Sequence, residues 1–215
     1  MKEVIEKVKS AVRGVMYELA KLLDMLTNGF IRPWHVTLVS LLGHVIVLLA
    51  LTEGLFMEAA VLLAGFGLLD ALDGAIARYQ GSESPQGMLL DATTDRLKET
   101  LVFAGLAYYF VVEAQPIGAL YAVLALGMSI SVSYVKAKGE VALLQRSLDK
   151  NSKAINNINR ELEFGIFGYE IRMLVLVVAF ALSQPYYGVL VVAGGATLTF
   201  LLRFEEIVRR LNGKS

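Results

Sequence analysis

The chain has 215 residues, of which 56% are hydrophobic, and its 20 Lys and Arg balance its 20 Asp and Glu to a formal net charge of zero. Together with a positive mean hydropathy, this composition excludes an ordinary soluble domain, because several apolar runs approach the length that crosses a bilayer. The absence of cysteine excludes disulfides, thiolate nucleophiles and iron–sulfur clusters. The chain has no basic stretch with interleaved aromatic residues, so we expect no nucleic-acid partner.

The N-terminal residues 1–26 carry apolar side chains at a period close to 3.6, with charged residues between them. The apolar positions are Val4, Ile5, Val8, Val12, Met16, Leu19, Leu23 and Leu26. This pattern predicts an amphipathic helix that lies in a membrane interface, and we assign residues 1–28 to it. Charges throughout the stretch exclude the uninterrupted apolar core of a signal peptide. A helix that packs on a soluble partner is the alternative.

The apolar runs after this helix predict six membrane spans. Pro33 suits the first turn of a helix, and Trp34 suits a membrane interface. The predicted spans cover residues 34–52, 55–79, 87–112, 116–137, 166–183 and 186–203. We therefore expect an all-α integral membrane protein with six transmembrane helices after the interfacial helix. Residues 30–205 form the membrane domain, and residues 206–215 form a cytoplasmic tail that continues as a charged helix.

Four aspartates lie where the second predicted span meets the third, and we call them the aspartate cluster. They are Asp70, Asp73, Asp91 and Asp95. The spacings of three and four residues place each pair on one face of a helix. The stretch YQGSESPQG between the pairs is rich in Gly, Ser and Pro and predicts a turn. Two helical pairs joined by a short turn can close into one group of four carboxylates.

Such a group is unfavourable near a membrane unless cations compensate its charge. Each charged side chain at the centre of a membrane helix costs about 2.5–3.5 kcal/mol on insertion scales, and mutual repulsion adds to this. All-oxygen ligands suit Mg²⁺, Mn²⁺ or Ca²⁺ rather than zinc or copper. Carboxylates that cap helices and face water are the alternative. His44 lies within the first span, and we interpret it as a packing or hydrogen-bonding residue rather than a metal ligand.

The distribution of charged residues along the chain predicts which side of the membrane each connecting segment faces. The stretch 139–164 carries too many charges to enter a bilayer, and its segments ALLQRSL and INRELEF have apolar residues at helical spacing. The turns near residues 53–58, 112–116 and 183–188 contain no Lys or Arg. By the positive-inside rule, both termini and the aspartate cluster face the cytoplasm of a multi-pass protein of the cell membrane.

The sequence around the aspartates resembles the CDP-alcohol phosphotransferases, whose signature is DxxDGxxAR, eight residues, then GxxxDxxxD. The chain reads DALDGAIAR, an eight-residue gap, then GMLLDATTD. Every fixed position is filled, by Asp70, Asp73, Gly74, Ala77, Arg78, Gly87, Asp91 and Asp95. Small residues beside the carboxylates leave room for a bulky ligand, and Arg78 offers a fork suited to phosphate. Family members often show Pro-Asn-x-x-Thr before the first span, and Pro33 and Thr37 match two of its positions.

The resemblance implies a reaction in which a CDP-linked lipid, CDP-diacylglycerol or CDP-archaeol, gives its phosphatidyl group to a small polar alcohol and releases CMP. It implies that the aspartate cluster ligates Mg²⁺ or Mn²⁺, with a two-metal site, and that Asp95 is also the general base. The implied contacts to the CDP group are Asp70, Asp73, Gly74, Ala77, Arg78, Gly87 and Thr37. The family resemblance also implies a homodimer.

The acceptor alcohol is interpreted as inositol phosphate from further resemblances. Arg96 follows the last aspartate as in the inositol and inositol-phosphate branches, and SYVKAKGE at 133–140 resembles their SYxKARAE. Lys136, Lys138 and Arg172 are thereby implied as acceptor contacts. Those enzymes tend to carry two arginines where the fifth span begins. Here Arg172 matches one of them, and Tyr169 stands at the position of the other. The alternative roles are positive-inside anchoring or, for Arg172, a local pair with a Glu.

Two other functions stay open at this point. The same reaction with glycerol-3-phosphate, serine or another polyol as acceptor is the first. A divalent-cation transporter that uses the same carboxylates is the second, although transporters often carry related elements in two repeats. Spans four to six contain no matching aspartate pair. The small residues Ala64, Gly65 and Gly67 allow close helix packing, within the bundle or in a homodimer.

Overall fold

The computed structural model describes residues 2–149 and 167–212, and it describes side chains in 12–146 and 167–212. The regular secondary structure of these residues is entirely helical. The helices are α1 (Lys2–Thr27), α2 (Pro33–Thr52), α3 (Phe56–Tyr79), α4 (Pro85–Val112), α5 (Pro116–Asp149), α6 (Tyr169–Ala181) and α7 (Pro185–Leu211). The predicted all-α class is confirmed.

Proline sets where the helices begin. The chain has four prolines, and each is the first residue of a helix, namely α2, α4, α5 and α7. The first turn of a helix has backbone N–H groups without an intrahelical acceptor, so the missing N–H of proline costs nothing there. The start of each of these helices is therefore marked in the sequence.

Within the described residues, four helices are long and apolar enough to cross a membrane, namely α2, α3, α7 and the Pro116–Arg146 part of α5. The six predicted spans thus correspond to six helices, of which four have the composition and length of a span. The helix α4 carries five charged residues between Asp91 and Glu99. The helix α6 has 13 residues, whereas a span needs about 20.

The ends of α5 and α7 extend beyond the predicted spans. The helix α5 continues past residue 137 to Asp149, which confirms the expected helix in ALLQRSL. The INRELEF segment lies outside the described residues. The helix α7 continues to Leu211, which confirms that the start of the charged tail is helical.

Residues 1–105 form one compact unit, in which α2 and α3 pack together and α1 packs against α3. Apolar side chains from these three helices form a buried cluster. Its members are Met16, Ala20, Val36, Ala75 and Ile76. Other apolar residues of α1, including Val12, Leu19 and Leu26, stay exposed. The helix α1 therefore uses one part of its apolar stripe to cover α3 beside the aspartates.

Residues 106–215 form the second unit, in which α5 and α7 pack along each other and α6 packs against α7. Small residues permit these approaches. The Gly139 position on α5 faces Ile207 on α7 without room for a side chain, and Gly188 on α7 faces Ala179 on α6. The glycines named from the sequence behave differently, because a Cβ at Gly65 or Gly67 would meet nothing within 4 Å in the described part of the chain.

The packing at Gly188 can be tested with a methyl group. Gly188→Ala is expected to lower the free energy of unfolding by about 1–3 kcal/mol, because the added carbon would lie 2.6 Å from Ala179 Cβ. Gly194→Ala on the same helix is the control, since nothing described lies within 4 Å of its added carbon. The control should be neutral or slightly stabilising, because Ala favours a helix over Gly. The melting temperatures of the two variants are measured by thermal unfolding in detergent, and equal values would contradict this packing.

Candidate active site

A tight turn brings the two halves of the sequence motif together. The helix α3 ends at Tyr79 and α4 begins at Pro85. Between them Gly81 has a φ of +60°, a conformation that glycine adopts without steric cost. The Ser84 hydroxyl then accepts a hydrogen bond from the backbone N–H of Gly87 at 3.1 Å, which caps the start of α4. Five residues of the chain, 80–84, thus reverse its direction between the two aspartate pairs.

The four carboxylates lie within electrostatic reach of one another. The charge of Asp70 acts on Asp73, on Asp91 and on Asp95. Asp73 is buried, whereas Asp91 is exposed and Asp95 is half-buried. The predicted aspartate cluster therefore exists as a group of interacting charges at the junction of α3 and α4, with one member open to the outside.

Lys98 lies inside this cluster, although it was not among the site residues predicted from the sequence. Its Nζ donates to Asp70 Oδ1 at 2.5 Å and lies 3.8 Å from Asp95 Oδ1. The side chain is 0% exposed. The signal in the sequence is its position three residues after Asp95 on the same helix, which places the two side chains on one face.

Arg96 and Glu99 extend the charged group along α4. Arg96 Nη2 lies 3.6 Å from Asp95 Oδ2, and Arg96 Nε lies 3.4 Å from Glu99 Oε2. Glu99 is fully buried. The residue that follows the last aspartate therefore contacts that aspartate from its own helix.

Thr37 lies within hydrogen-bond distance of a member of the cluster. Its hydroxyl donates to Asp73 Oδ2 at 2.6 Å, and both side chains are buried. Because a buried carboxylate is stabilised by a hydrogen-bond donor, this contact orients Asp73 from the first turns of α2. Thr37 was predicted as a CDP contact, and in this structure its hydroxyl is directed at the carboxylate.

The remaining predicted CDP contacts line the end of α3 and the start of α4. Arg78 is exposed and Ala77 is half-buried. A Cβ at Gly74 would lie 3.4 Å from Arg78 Nη1, so the guanidinium group folds back over the glycine one turn earlier. Gly87 is exposed at the start of α4. The exposed Arg78 and Gly87 leave this side of the cluster accessible to a phosphate-bearing ligand.

The donor set of the cluster suits a hard divalent cation, but its side chains are not drawn together around one. No group of three His, Asp or Glu side chains in the described residues has metal-ligating geometry. Asp70 Oδ2 is buried and has no hydrogen-bond partner within the described structure. A free carboxylate oxygen beside three further carboxylates fits Mg²⁺ or Mn²⁺ in chemistry.

His44 is buried in α2. Its Nδ1 lies 2.8 Å from the carbonyl oxygen of Ser40, so Nδ1 is the donor, since a carbonyl only accepts. The interpretation of His44 as a hydrogen-bonding residue is confirmed.

The predicted acceptor contacts belong to the second unit. Lys136 Nζ lies 3.8 Å from Glu140 Oε1, and Lys138 Nζ lies 5.9 Å from the centre of the Tyr134 ring. Arg172 is 1% exposed, and its Nη1 donates to the carbonyl of Phe167 at 2.9 Å. Lys136 and Lys138 therefore reach the surface of α5, whereas Arg172 is a buried cation.

Arg203 on α7 is a further cation, and it was not among the acceptor contacts predicted from the sequence. Its Nη1 donates to the Val132 carbonyl at 3.3 Å, and its charge acts together with those of Arg172 and Glu140. Two guanidinium groups in one partly buried region form a positive centre. The sequence signal is an arginine directly after a long apolar run.

A sequence profile of the CDP-alcohol phosphatidyltransferase family matches residues 30–201. The chain belongs to the CDP-alcohol phosphatidyltransferase family. This confirms the resemblance of the motif, and it makes the protein an enzyme rather than a cation transporter. The match begins where the predicted membrane domain begins and ends within α7.

Relatives in this family support the inositol-phosphate branch. The chain is 29% identical to the phosphatidylinositol phosphate synthase of Cutibacterium acnes, over 70% of this chain and 72% of the relative. It is also 29% identical to the archaetidylinositol phosphate synthase of Pyrococcus horikoshii, over 97% of this chain and 98% of the relative.

A solved family member shows the same fold. The phosphatidylinositol phosphate synthase of Mycobacterium tuberculosis with CDP-DAG bound is 21% identical, with a TM-score of 0.72 over 90% of this chain and 93% of that one. Its complex with manganese and citrate is 22% identical, with a TM-score of 0.73 over 89% and 88% of the two chains.

Proposed function

We propose that this CDP-alcohol phosphatidyltransferase transfers the lipid phosphate of CDP-diacylglycerol or CDP-archaeol to inositol phosphate and releases CMP. The observation that carries the proposal is the complete motif, folded so that the carboxylates of α3 and α4 interact in one cluster. The names of two relatives, one a phosphatidylinositol phosphate synthase and one an archaetidylinositol phosphate synthase, support the choice of acceptor.

The aspartate cluster is proposed to hold two divalent cations, Mg²⁺ or Mn²⁺. When bound, such cations neutralise charge on the pyrophosphate and hold the reacting groups in place. The manganese complex of the Mycobacterium tuberculosis enzyme supports this assignment. The buried free oxygen of Asp70 is the ligand atom that the structure offers without rearrangement.

The residues of the motif divide the chemistry between them. Arg78, with Gly74 and Ala77, is proposed to bind the CDP phosphates, and Gly87 and Thr37 complete that contact surface. Asp95 takes the proton of the acceptor hydroxyl. The hydroxyl oxygen then attacks the phosphorus on the lipid side of the pyrophosphate. The bond from that phosphorus to the CMP oxygen breaks, and its electron pair leaves with CMP.

Lys136, Lys138 and Arg172 are proposed to bind the phosphate of the acceptor, and Arg203 joins them. Arg172 and Arg203 are near enough for their charges to interact, although like charges repel. A pair of guanidinium groups in this arrangement is stabilised by a bound phosphate dianion. This supports an acceptor that carries a phosphate over serine, which has none.

The protein is proposed to cross the cell membrane six times, with both termini and the aspartate cluster on the cytoplasmic side. Four helices have the composition of a span, and α4 and α6 complete the set with their polar ends at the interface. The exposed apolar residues of α1, including Leu22 and Leu26, support its placement in the interface. The domain assignment of 1–28, 30–205 and 206–215 follows this arrangement.

A homodimer is proposed as the working assembly. The residues Ala64, Gly65 and Gly67 form an exposed face of α3, and nothing in the described chain packs on its two glycines. Small residues on a membrane helix permit a second helix to approach closely. This face is a candidate contact between two copies.

The reaction is tested by incubating the detergent-purified chain with a CDP-lipid, Mg²⁺ or Mn²⁺ and a panel of acceptors, and measuring CMP. CMP release is expected with inositol phosphate, and EDTA should abolish it until a divalent cation is restored. The panel contains glycerol-3-phosphate, serine and inositol as comparison acceptors. Turnover with one of these and none with inositol phosphate would reject the acceptor, and turnover in EDTA would reject the metal site.

The role of Asp95 is tested by Asp95→Asn. The amide keeps the size of the side chain but cannot take a proton, so turnover should fall by about 10²-fold or more. Binding of the CDP-lipid, measured by calorimetry, should change much less. Glu58→Gln, at the far end of α3, removes a carboxylate outside the motif as a control. Near-normal turnover in Asp95→Asn would show that Asp95 is not the base.

The acceptor contacts are tested by Lys136→Ala and Arg172→Lys, measured with both substrates varied. Each change should raise the KM for the acceptor by about tenfold. Lys136→Ala removes a charge-assisted phosphate contact that contributes about 1.5–3 kcal/mol, and Arg172→Lys removes the guanidinium fork that binds phosphate in a bidentate manner. The KM for the CDP-lipid should stay within about twofold. Lys136→Arg keeps the charge and should restore most of the affinity. An effect confined to the CDP-lipid would contradict this assignment.

A further inference from the structure

Lys98 is a buried cation that the family motif does not include. It lies on α4, one turn after Asp95, and its side chain is 0% exposed. Lysine is almost never fully buried unless its charge is paired. The pairing is with Asp70 on α3, at 2.5 Å, so the contact joins the two helices that carry the motif.

The ammonium group acts on the whole cluster and not only on Asp70. Its Nζ lies 3.8 Å from Asp95 Oδ1, and its charge also acts on Asp73 and on Asp91. Arg96 lies nearby too, but it contacts Glu99 as well as Asp95. Lys98 is therefore the cation that lies among the carboxylates, where a metal ion would neutralise the same charges.

The same contact opposes metal binding. Asp70 Oδ1 cannot accept a hydrogen bond from Lys98 at 2.5 Å and also ligate a cation along that direction. A divalent cation among these carboxylates would also repel an ammonium group a few ångströms away. A cation bound through the free Asp70 Oδ2 would share that carboxylate with Lys98 and would be repelled by it, so the ammonium group weakens the affinity of the site.

We propose that Lys98 is a tethered cation that holds α3 and α4 together at the aspartate cluster in the metal-free protein, and that it competes with a divalent cation for Asp70. The inference rests on the proposed metal site. Lys98 is accordingly a positioning residue, which keeps the carboxylates gathered before the metal binds and limits how tightly the metal is held.

The test uses the full chain in detergent without lipid substrate. Mn²⁺ binding is measured by calorimetry and by the loss of the free Mn²⁺ signal in electron paramagnetic resonance. Thermal unfolding is measured in EDTA and in saturating Mn²⁺. The variants are Lys98→Met, which keeps the length of the side chain without its charge, and Lys98→Gln, which keeps a polar end. Lys21→Met, at an exposed position on α1, is the control for the loss of one positive charge.

Both Lys98 variants lose the ammonium group that pairs with Asp70. Their melting temperatures in EDTA should therefore lie at least about 4 °C below that of wild type, because the negative charge of the carboxylates is less well compensated. Saturating Mn²⁺ should abolish most of that difference. The Kd for Mn²⁺ should fall about fivefold or more in the variants, the lower end of ordinary coupling between two ligands of one site. Lys21→Met should match wild type in both measurements.

Each of the remaining outcomes either supports or overturns the proposal. Wild type that binds no Mn²⁺ would reject the proposed metal site itself. Wild type that binds Mn²⁺, with unchanged affinity in both Lys98 variants, would overturn the competition and leave the metal site standing. Variants that fold only in Mn²⁺ would support the tethering role, because the metal then replaces the ammonium. Variants that fold in neither condition would overturn it.

Discussion

Mutual repulsion of four carboxylates between two mostly apolar helices is the constraint on which the first unit depends. Asp70, Asp73, Asp91 and Asp95 interact through their charges, and α3 and α4 can meet there only if positive charge compensates them. In this structure Lys98 on α4 supplies positive charge through its ion pair with Asp70 on α3. The position that suits a metal ion is therefore also the point at which the helices are joined.

The rest of the first unit supports that junction from three directions. The hydroxyl of Thr37 on α2 donates to Asp73. The side-chain amide of Gln80, just after α3, donates to Asp24 Oδ1 at 2.7 Å and to the carbonyl of Ile31 at 2.9 Å. The apolar face of α1 covers Ala75 and Ile76 beside the motif. Each contact restrains the end of α3, so Asp70 and Asp73, which are proposed to bind a ligand, are set on a rigid element.

In the second unit, two positively charged side chains interact with each other. Arg172 is buried and Arg203 acts on it through their like charges. Backbone carbonyls of Phe167 and Val132 accept hydrogen bonds from the two guanidinium groups, which offsets part of the cost of burial. A buried cation with a half-buried cation beside it is retained in a protein most readily where an anion is to be bound. The proposed phosphate of the acceptor is such an anion.

The sequence by itself determined the local features: the helix starts at four prolines, the turn at Gly81, the face shared by each aspartate pair, and the motif that identifies the family. These depend on neighbours along the chain, whose chemistry is readable without a fold. The sequence could not determine which residues pair with Asp70 and Thr37. Lys98 lies 28 residues from Asp70, and Asp73 lies 36 residues from Thr37. The three-residue spacing of Asp95 and Lys98 places both on one helix face, but only the tertiary structure shows that this lysine is buried and paired with Asp70 on α3. The same reason applies to Arg203, which is only partly buried, because its exposure depends on the packing of α7 against α5 and not on its own neighbours.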